Sequence, residues 1–418
     1  MSGKRFFIGL HDKKIENEFV WLDDESPLNK SAFDNNNPWD TNFGQNQPDD
    51  SNGEDCAEVR ISGKWSDIDC NAEYKYIDHY FVCTTNIFQS SRIFIYGGEG
   101  PSEPKAEIVD LLNPNRTCQF ENDNLDQYAA KSASVGGYVY GTPLICGGSD
   151  NVGGNTSSNK CLSPWDDISL LQFRQSASSV VMYNETVDIY GDIFISEELW
   201  ITGGRNVDKE EDLSSTEIVS PFEGTSRRGI ELPVTVNSHC MVKYNSTHVF
   251  LIGGYQNGGT SKKTWIFNPT KNYEYVEGPE LNEERYWHSC GKFFSKDEGK
   301  EFIIVAGGVN GNGPIDSVEL FGTDHSTDGF YAPMQIKLPY PIWQSSMVTA
   351  PDGSGVYLIG GFGHNENYGN ILEFKQSEHE PEEFIWEVSK TKLKDARGNH
   401  MAFHVPKEDT DCLVPDDN

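Results

Sequence analysis

The chain has 418 residues, 36% of them apolar and 12% aromatic, with 40 glycines and a formal charge of −32 from 65 acidic and 33 basic groups. At roughly 100–200 residues per domain this suffices for two or three domains with buried cores. Acidity on both parts, −9 over residues 1–85 and −23 over the remainder, argues against nucleic acid or an anionic membrane as partner, because binding phosphates needs a basic face, and no apolar run approaches the roughly 18–20 residues of a bilayer span.

The N-terminal stretch carries a series of short motifs. They are Phe7-Ile8-Gly9-Leu10, Trp21-Leu22-Asp23, Gln47-Pro48-Asp49, Gly53-Glu54-Asp55-Cys56, Trp65-Ser66-Asp67, Cys70 and Phe81-Val82-Cys83. In this order and spacing they resemble the second half of a C-type lectin domain. The resemblance implies a partial, α+β lectin fold over residues 1–85, lacking the strand and two helices the family places before Phe7. It also implies a Cys56–Cys70 disulfide and a partner for Cys83 on the absent first helix. A segment preceding Met1, bearing that cysteine and a signal peptide, is therefore expected, and with it an extracellular location. Without that segment, residues 1–85 alone are expected to aggregate, since unpaired backbone and exposed apolar surface both cost free energy.

The family's sugar site is a Ca²⁺ whose oxygen ligands also hold two sugar hydroxyls. Calcium suits this role because it accepts six to eight oxygens in flexible geometry. Carried over by position, the implied metal ligands are Gln47, Asp49, Glu54 and Asp67. Ser66 stands where the family usually has Asn, a shorter ligand without the amide donor, and completes the implied carbohydrate-binding set. The Gln-Pro-Asp order implies a galactose-type glycan, although Asp50-Ser51-Asn52 supplies no aromatic ring to stack on it.

After a short linker at 86–91, one pattern dominates. An apolar run ending in Gly-Gly recurs six times, the pairs beginning at Gly97, Gly147, Gly203, Gly253, Gly307 and Gly360. Each is followed by a second β-rich run, for example Thr264-Trp265-Ile266-Phe267, and then by a third of small and apolar residues often opened by Arg or holding His. These third runs read as continuous strands over 129–135, 173–182, 236–242, 286–293, 343–348 and 397–405. Short β-runs at regular spacing, without sustained helical periodicity, indicate four-stranded units. Val249 to His288, with Gly253-Gly254, Trp265, Asn268-Pro269, Gly278-Pro279, Arg285 and His288, resembles the kelch repeat. That resemblance implies a β-propeller over 92–406. The first Gly-Gly strand lacks a preceding partner and the last run, 397–405, lacks a following one. Six blades closed by the C-terminal strand resolve both, leaving no free sheet edge. The overall expectation is a mainly β protein ending in an acidic tail at 407–418.

Little in the propeller reads as chemistry. His239, His288 and His400 fall at equivalent repeat positions, which points to packing, because a catalytic residue breaks a repeat. No phosphate-cradling loop, nucleophile elbow or Cys-x-x-Cys spacing is present, and no Tyr-His set matches a copper-radical oxidase of the kelch family. Cys118, Cys146, Cys161, Cys240, Cys290 and Cys412 allow 15 pairings, with one pair expected among the first three. Asn-x-Ser/Thr sequons occur at Asn29, Asn115, Asn155, Asn184 and Asn245. The leading expectation is a calcium-dependent extracellular lectin whose propeller loops engage an unknown protein, and not an enzyme. A calcium-independent protein-binding module, an intracellular kelch adaptor and a propeller oxidase are the alternatives.

Overall fold

The computed structural model describes residues 5–11, 20–21, 56–60 and 65–68 of the N-terminal part by their backbone course. From 91 to 405 it describes all but 101–105, 115–116, 121–131, 150–155, 163–167, 188–192, 222, 272–274, 296–298, 324–328, 331–335, 364–365 and 378–383. The chain separates into two units, Met1–Ile87 and Phe88–Asn418. Among the described residues there is no α-helix, and none forms a membrane-crossing helix.

In the first unit four strands form one antiparallel sheet. The apolar run Arg5–His11 lies between Val20–Trp21 and Cys56–Arg60, and Trp65–Ile68 pairs on the far side of Cys56–Arg60. The register sets Phe6 opposite Val59, Glu58 opposite Ser66 and Ala57 opposite Asp67. The described part of the lectin-like unit is thus β only.

Among the described residues the second unit contains six principal sheets of three or four antiparallel strands, beside a small three-stranded sheet of Val236–Asn237, Tyr255–Gln256 and Gly259–Thr260 and three two-stranded ones. The first is completed by the C-terminal strand Met401–His404, which pairs with Arg92–Tyr96 and is followed outward by Ala106–Asp110 and Cys118–Phe120. From inner to outer strand, the second sheet runs Val135–Val139, Thr142–Cys146 and Cys161–Leu162. The third runs Ser178–Val187, Ile193–Thr202, Ser215–Ser220 and Thr225–Glu231. Cys240–Lys243, Val249–Ile252, Thr264–Phe267 and Tyr275–Glu277 make the fourth. The fifth is Ser289–Ser295, Lys300–Ala306 and Val318–Gly322. The sixth is Ser346–Thr349, Val356–Ile359, Asn370–Gln376 and Phe384–Lys392.

Closure of the ring is visible in the core. Each second strand is sandwiched between two neighbouring sheets, which is why each carries a continuous apolar run before its Gly pair instead of alternating with polar residues. In Arg92–Tyr96, Ile93 and Ile95 pack with Tyr357 and Ile359 of the sixth sheet, whereas Phe94 and Tyr96 pack with Ile145 of the second. Equivalent clusters fill the junctions of sheets two and three, three and four, four and five, and five and six. The last junction joins sheet six to sheet one, so the C-terminal strand closes the ring as the strand arithmetic predicts.

One expectation is corrected. The continuous inner strands read from the sequence are broken, two residues before each ladder begins, by a residue with φ between 51° and 58°: Ala133, Ser176, Ser238, Trp287, Gln344 and Asn399. Left-handed geometry is costly for residues with a Cβ, so only a structural requirement repeated in every sheet maintains it, and the axial hydrogen-bond ring described below supplies that requirement. The Gly pairs answer the same crowding. Gly203 has φ 56°, and a Cβ there would lie 2.3 Å from the Val236 carbonyl oxygen.

Two disulfides are described in this unit. Cys146 joins Cys161 across two strands of the second sheet, and Cys240 joins Cys290 across the inner strands of sheets four and five. Cys118 is disulfide-bonded as well. The first pair lies within the trio singled out in the sequence.

Candidate functional site

The six left-handed residues meet at the propeller axis. Each N–H donates to the carbonyl of its predecessor: Ser176 to Ala133 at 3.1 Å, Ser238 to Ser176 at 2.8 Å, Trp287 to Ser238 at 2.9 Å, Gln344 to Trp287 at 2.9 Å, and Asn399 to Gln344 at 2.8 Å. Ala133 donates to Asn399 at 3.0 Å, completing the circle. Above this circle lies a cavity of about 120 Å³ lined by these residues and the ones that follow them, Ser134, Ala177, His239, His288, Ser345 and His400. No ionised side chain lines it.

The three histidines do not form a reactive centre. Each imidazole packs against the first glycine of the preceding sheet's pair, and a Cβ at Gly203, Gly253 or Gly360 would meet His239 Cε1, His288 Cε1 or His400 Cε1 at 3.2, 2.9 and 2.7 Å. Burial drives the His239 imidazole down to about 3, and burial together with the nearby Arg397 charge drives His400 to about 3. His288 lies well below its ordinary value through burial first, then the Arg285 and His239 charges. All three are therefore neutral at physiological pH. His239 Nε2 lies 2.7 Å from Thr202 Oγ1, which fixes its ring. Among the described residues no cluster of three His, Cys, Asp or Glu side chains is placed to hold a metal ion.

Three buried ion pairs flank the axis, and the motif reading missed their acidic halves. Arg174 binds Glu217 at 2.5 Å, Arg285 binds Glu319 at 2.7 Å, and Arg397 binds Glu107, all with side chains no more than 1% exposed. Each guanidinium also donates to the carbonyl of the first glycine in its own sheet, Gly203, Gly307 or Gly97. Each carboxylate accepts two backbone N–H groups from the connection entering the sheet, as Glu319 does from Asn282 and Glu283. Burial lowers each arginine's pKa and the paired carboxylate opposes it. These pairs occur in sheets one, three and five. In sheets four and six the corresponding positions are apolar, Val236 with Trp265 and Ile342 with Leu372, and each couple shares a core cluster. A Glu in the third strand of alternate repeats was the available signal.

In the first unit Ser66 and Asp67 lie on the strand Trp65–Ile68, which pairs with the strand beginning at Cys56. Gln47, Asp49, Glu54 and Cys70 lie outside the described residues, as do Cys83, Cys412, residues 86–90 of the linker and the acidic tail. The implied donor set, three carboxylates with an amide and a hydroxyl oxygen, is made of hard oxygens and fits calcium in kind.

Comparison with known proteins bears on both units. Residues 1–85 match the Lectin C-type domain family. The match names the first unit a C-type lectin domain. It is 36% identical over 80 residues to Collectin-10 of Gallus gallus, an alignment covering 19% of this chain and 24% of that protein. It is 40% identical over 83 residues to the low affinity immunoglobulin epsilon Fc receptor of Mus musculus, covering 20% and 21%. The chain therefore spans about a quarter or less of the length of these relatives. The solved structure of YjhT, a propeller-like fold, aligns with 72% of this chain and 98% of its own at a TM-score of 0.50 and 12% identity, a likeness of fold alone. A C-type lectin domain followed by a propeller-like fold is thus the architecture of the chain.

Proposed function

We propose that the chain is an extracellular glycan-binding protein in which the C-type lectin domain holds a sugar through Ca²⁺ and the kelch-type propeller serves as an interaction scaffold. The observation that carries this reading is the family match over 1–85, a span that contains the Gln47-Pro48-Asp49 and Trp65-Ser66-Asp67 motifs in the order a sugar site requires. Gln47, Asp49, Glu54 and Asp67 would hold the ion, which when bound supplies open coordination positions for two vicinal hydroxyls. Ser66 sits beside Asp67 on the same strand and orients a hydroxyl through its own oxygen. The disulfides suit an oxidising compartment. The propeller is read as a scaffold instead of a catalyst because its histidines are neutral and packed against glycine.

The test is a calcium titration of the full chain followed by intrinsic tryptophan fluorescence, then binding to immobilised galactose, mannose and N-acetylglucosamine with and without chelator. Saturable calcium uptake and chelator-sensitive sugar retention, both lost in Asp49→Ala, support the reading. Sugar retention that ignores chelator, or none at all, overturns it.

A second reading, a calcium-independent protein-binding domain, is favoured by two observations. Ser66 replaces the usual amide ligand, and one relative is by name an immunoglobulin receptor. Under this reading the fluorescence titration is flat.

A further inference from the structure

Of the five sequons, the two whose asparagines are described, Asn184 and Asn245, differ in the structure, and one is built as an acceptor. We infer that Asn245 is a site of N-linked glycosylation, an inference that rests on the secretory route proposed above. Asn245-Ser246-Thr247 forms the turn between Cys240–Lys243 and Val249–Ile252, and all three residues are exposed. Hydrogen bonds from Tyr244 and Asn245 N–H to the His248 carbonyl, at 2.9 and 3.2 Å, fix the turn. The Asn245 carboxamide is polarised within it. Its Oδ1 accepts from the N–H groups of Thr247 at 2.9 Å and His248 at 2.8 Å, and the Thr247 hydroxyl lies 3.2 Å from it.

Donation into Oδ1 draws electron density from the amide and makes the Nδ2 protons more acidic, while Nδ2 itself engages no group among the described residues. That combination suits attack by Nδ2 on the anomeric carbon of a polyprenyl-diphosphate-linked oligosaccharide. The C–N bond forms as the C1–O bond breaks, the polyprenyl diphosphate leaves with its electron pair, and the amide proton passes to the transferase. Asn184 differs: its backbone sits inside the ten-residue ladder of the third sheet, opposite Ser196. Asn29, Asn115 and Asn155 lie outside the described residues.

Placement adds a consequence. In the fourth sheet Lys243 pairs with Val249 at the turn end and Cys240 with Ile252 at the Gly253 end. A glycan on Asn245 therefore projects from the face opposite the Gly-Gly loops and the axial cavity. It shields that far face and leaves the axial face open to a partner.

The experiment uses the full chain behind a supplied secretion leader in a eukaryotic host. Proteolytic peptides are deglycosylated by N-glycanase in ¹⁸O-water, which converts a glycosylated Asn to ¹⁸O-labelled Asp, and the Cys240–Cys290 bond is mapped in the same molecules. Most copies are expected to carry ¹⁸O-labelled Asp at 245. Asn245→Gln and Thr247→Ala are each expected to lose one glycan's gel shift, which Thr247→Ser retains. Secreted, Cys240–Cys290-oxidised protein with unlabelled Asn245 overturns this inference and leaves the extracellular reading intact. A chain that is retained with both cysteines reduced overturns the extracellular reading and this inference with it.

Discussion

Arg397 and Glu107, 290 residues apart in sequence, meet in an ion pair with both side chains fully buried. Glu107 also accepts the N–H groups of Lys394 and Asp395 at 2.8 and 3.1 Å, so one carboxylate ties the connection entering the C-terminal strand to the first sheet. The same device recurs at Arg174–Glu217 and Arg285–Glu319, and sheets four and six replace it with packed apolar side chains.

That alternation predicts an asymmetry. Removing one partner leaves an uncompensated buried charge and costs about 3–5 kcal/mol, whereas replacing both with apolar groups costs far less. Glu319→Leu alone should therefore lower stability by roughly that amount. Arg285→Ile combined with Glu319→Leu, which copies the Ile342–Leu372 arrangement of sheet six, should be the more stable of the two. Urea unfolding of both variants decides it.

The neutral histidines predict sensitivity to mild acid. His239 and His400 stay unprotonated in the fold down to about pH 3, but in the unfolded chain they protonate near pH 6.5. The unfolded state thus binds more protons between those limits, so stability is full above pH 6.5 and falls as pH drops through that window. The slope is about 1.4 kcal/mol per pH unit for each histidine. Melting temperature should decline from pH 7 to 5, before most carboxylates titrate, and His239→Gln and His400→Gln should each flatten that decline.

Glycines differ in what they tolerate. At Gly307 a Cβ would lie 2.4 Å from the Ile342 carbonyl with φ at 65°, whereas at Gly258, with φ 85°, nothing lies within 4 Å. Gly258→Ala should cost only the left-handed strain, about 1–2 kcal/mol. Gly307→Ala adds a backbone collision and should cost clearly more, read as a larger drop in melting temperature.

At the proposed calcium site Ser66→Asn restores an amide oxygen and a donor. Calcium affinity should rise by about tenfold, equivalent to roughly 1.4 kcal/mol, as measured by the fluorescence titration. An unchanged midpoint would remove Ser66 from the ligand sphere.

The periodic part of this protein was legible because its cause is periodic. Six Gly pairs report six places where backbone approaches backbone, and the unmatched first and last strands announce closure. The axial residues were illegible because Ala133, Ser176, Ser238, Trp287, Gln344 and Asn399 share a backbone conformation and no side-chain chemistry. Main-chain hydrogen bonds ask nothing of residue type beyond an N–H. The ion pairs were half legible: Arg174, Arg285 and Arg397 stand at or beside the start of small, apolar runs, but Glu217 and Glu319 sit in unremarkable strands and acquire meaning only when the connection folds over them. Disulfide pairing was left open by counting, and the register of neighbouring inner strands settles Cys240 with Cys290. In the lectin domain Ser66 and Asp67 are placed on a strand by the same motif that suggested them.

The first sheet takes its innermost strand from Met401–His404, and this fixes a temporal order on biosynthesis. A nascent chain emerging from the ribosome exposes the Arg92–Tyr96 edge for some three hundred residues of elongation before its partner exists. Sheets two to five can assemble from neighbours already made, but the circle latches only once Met401–His404 has been made. Cells that make this protein must guard one open flank until that closing strand arrives.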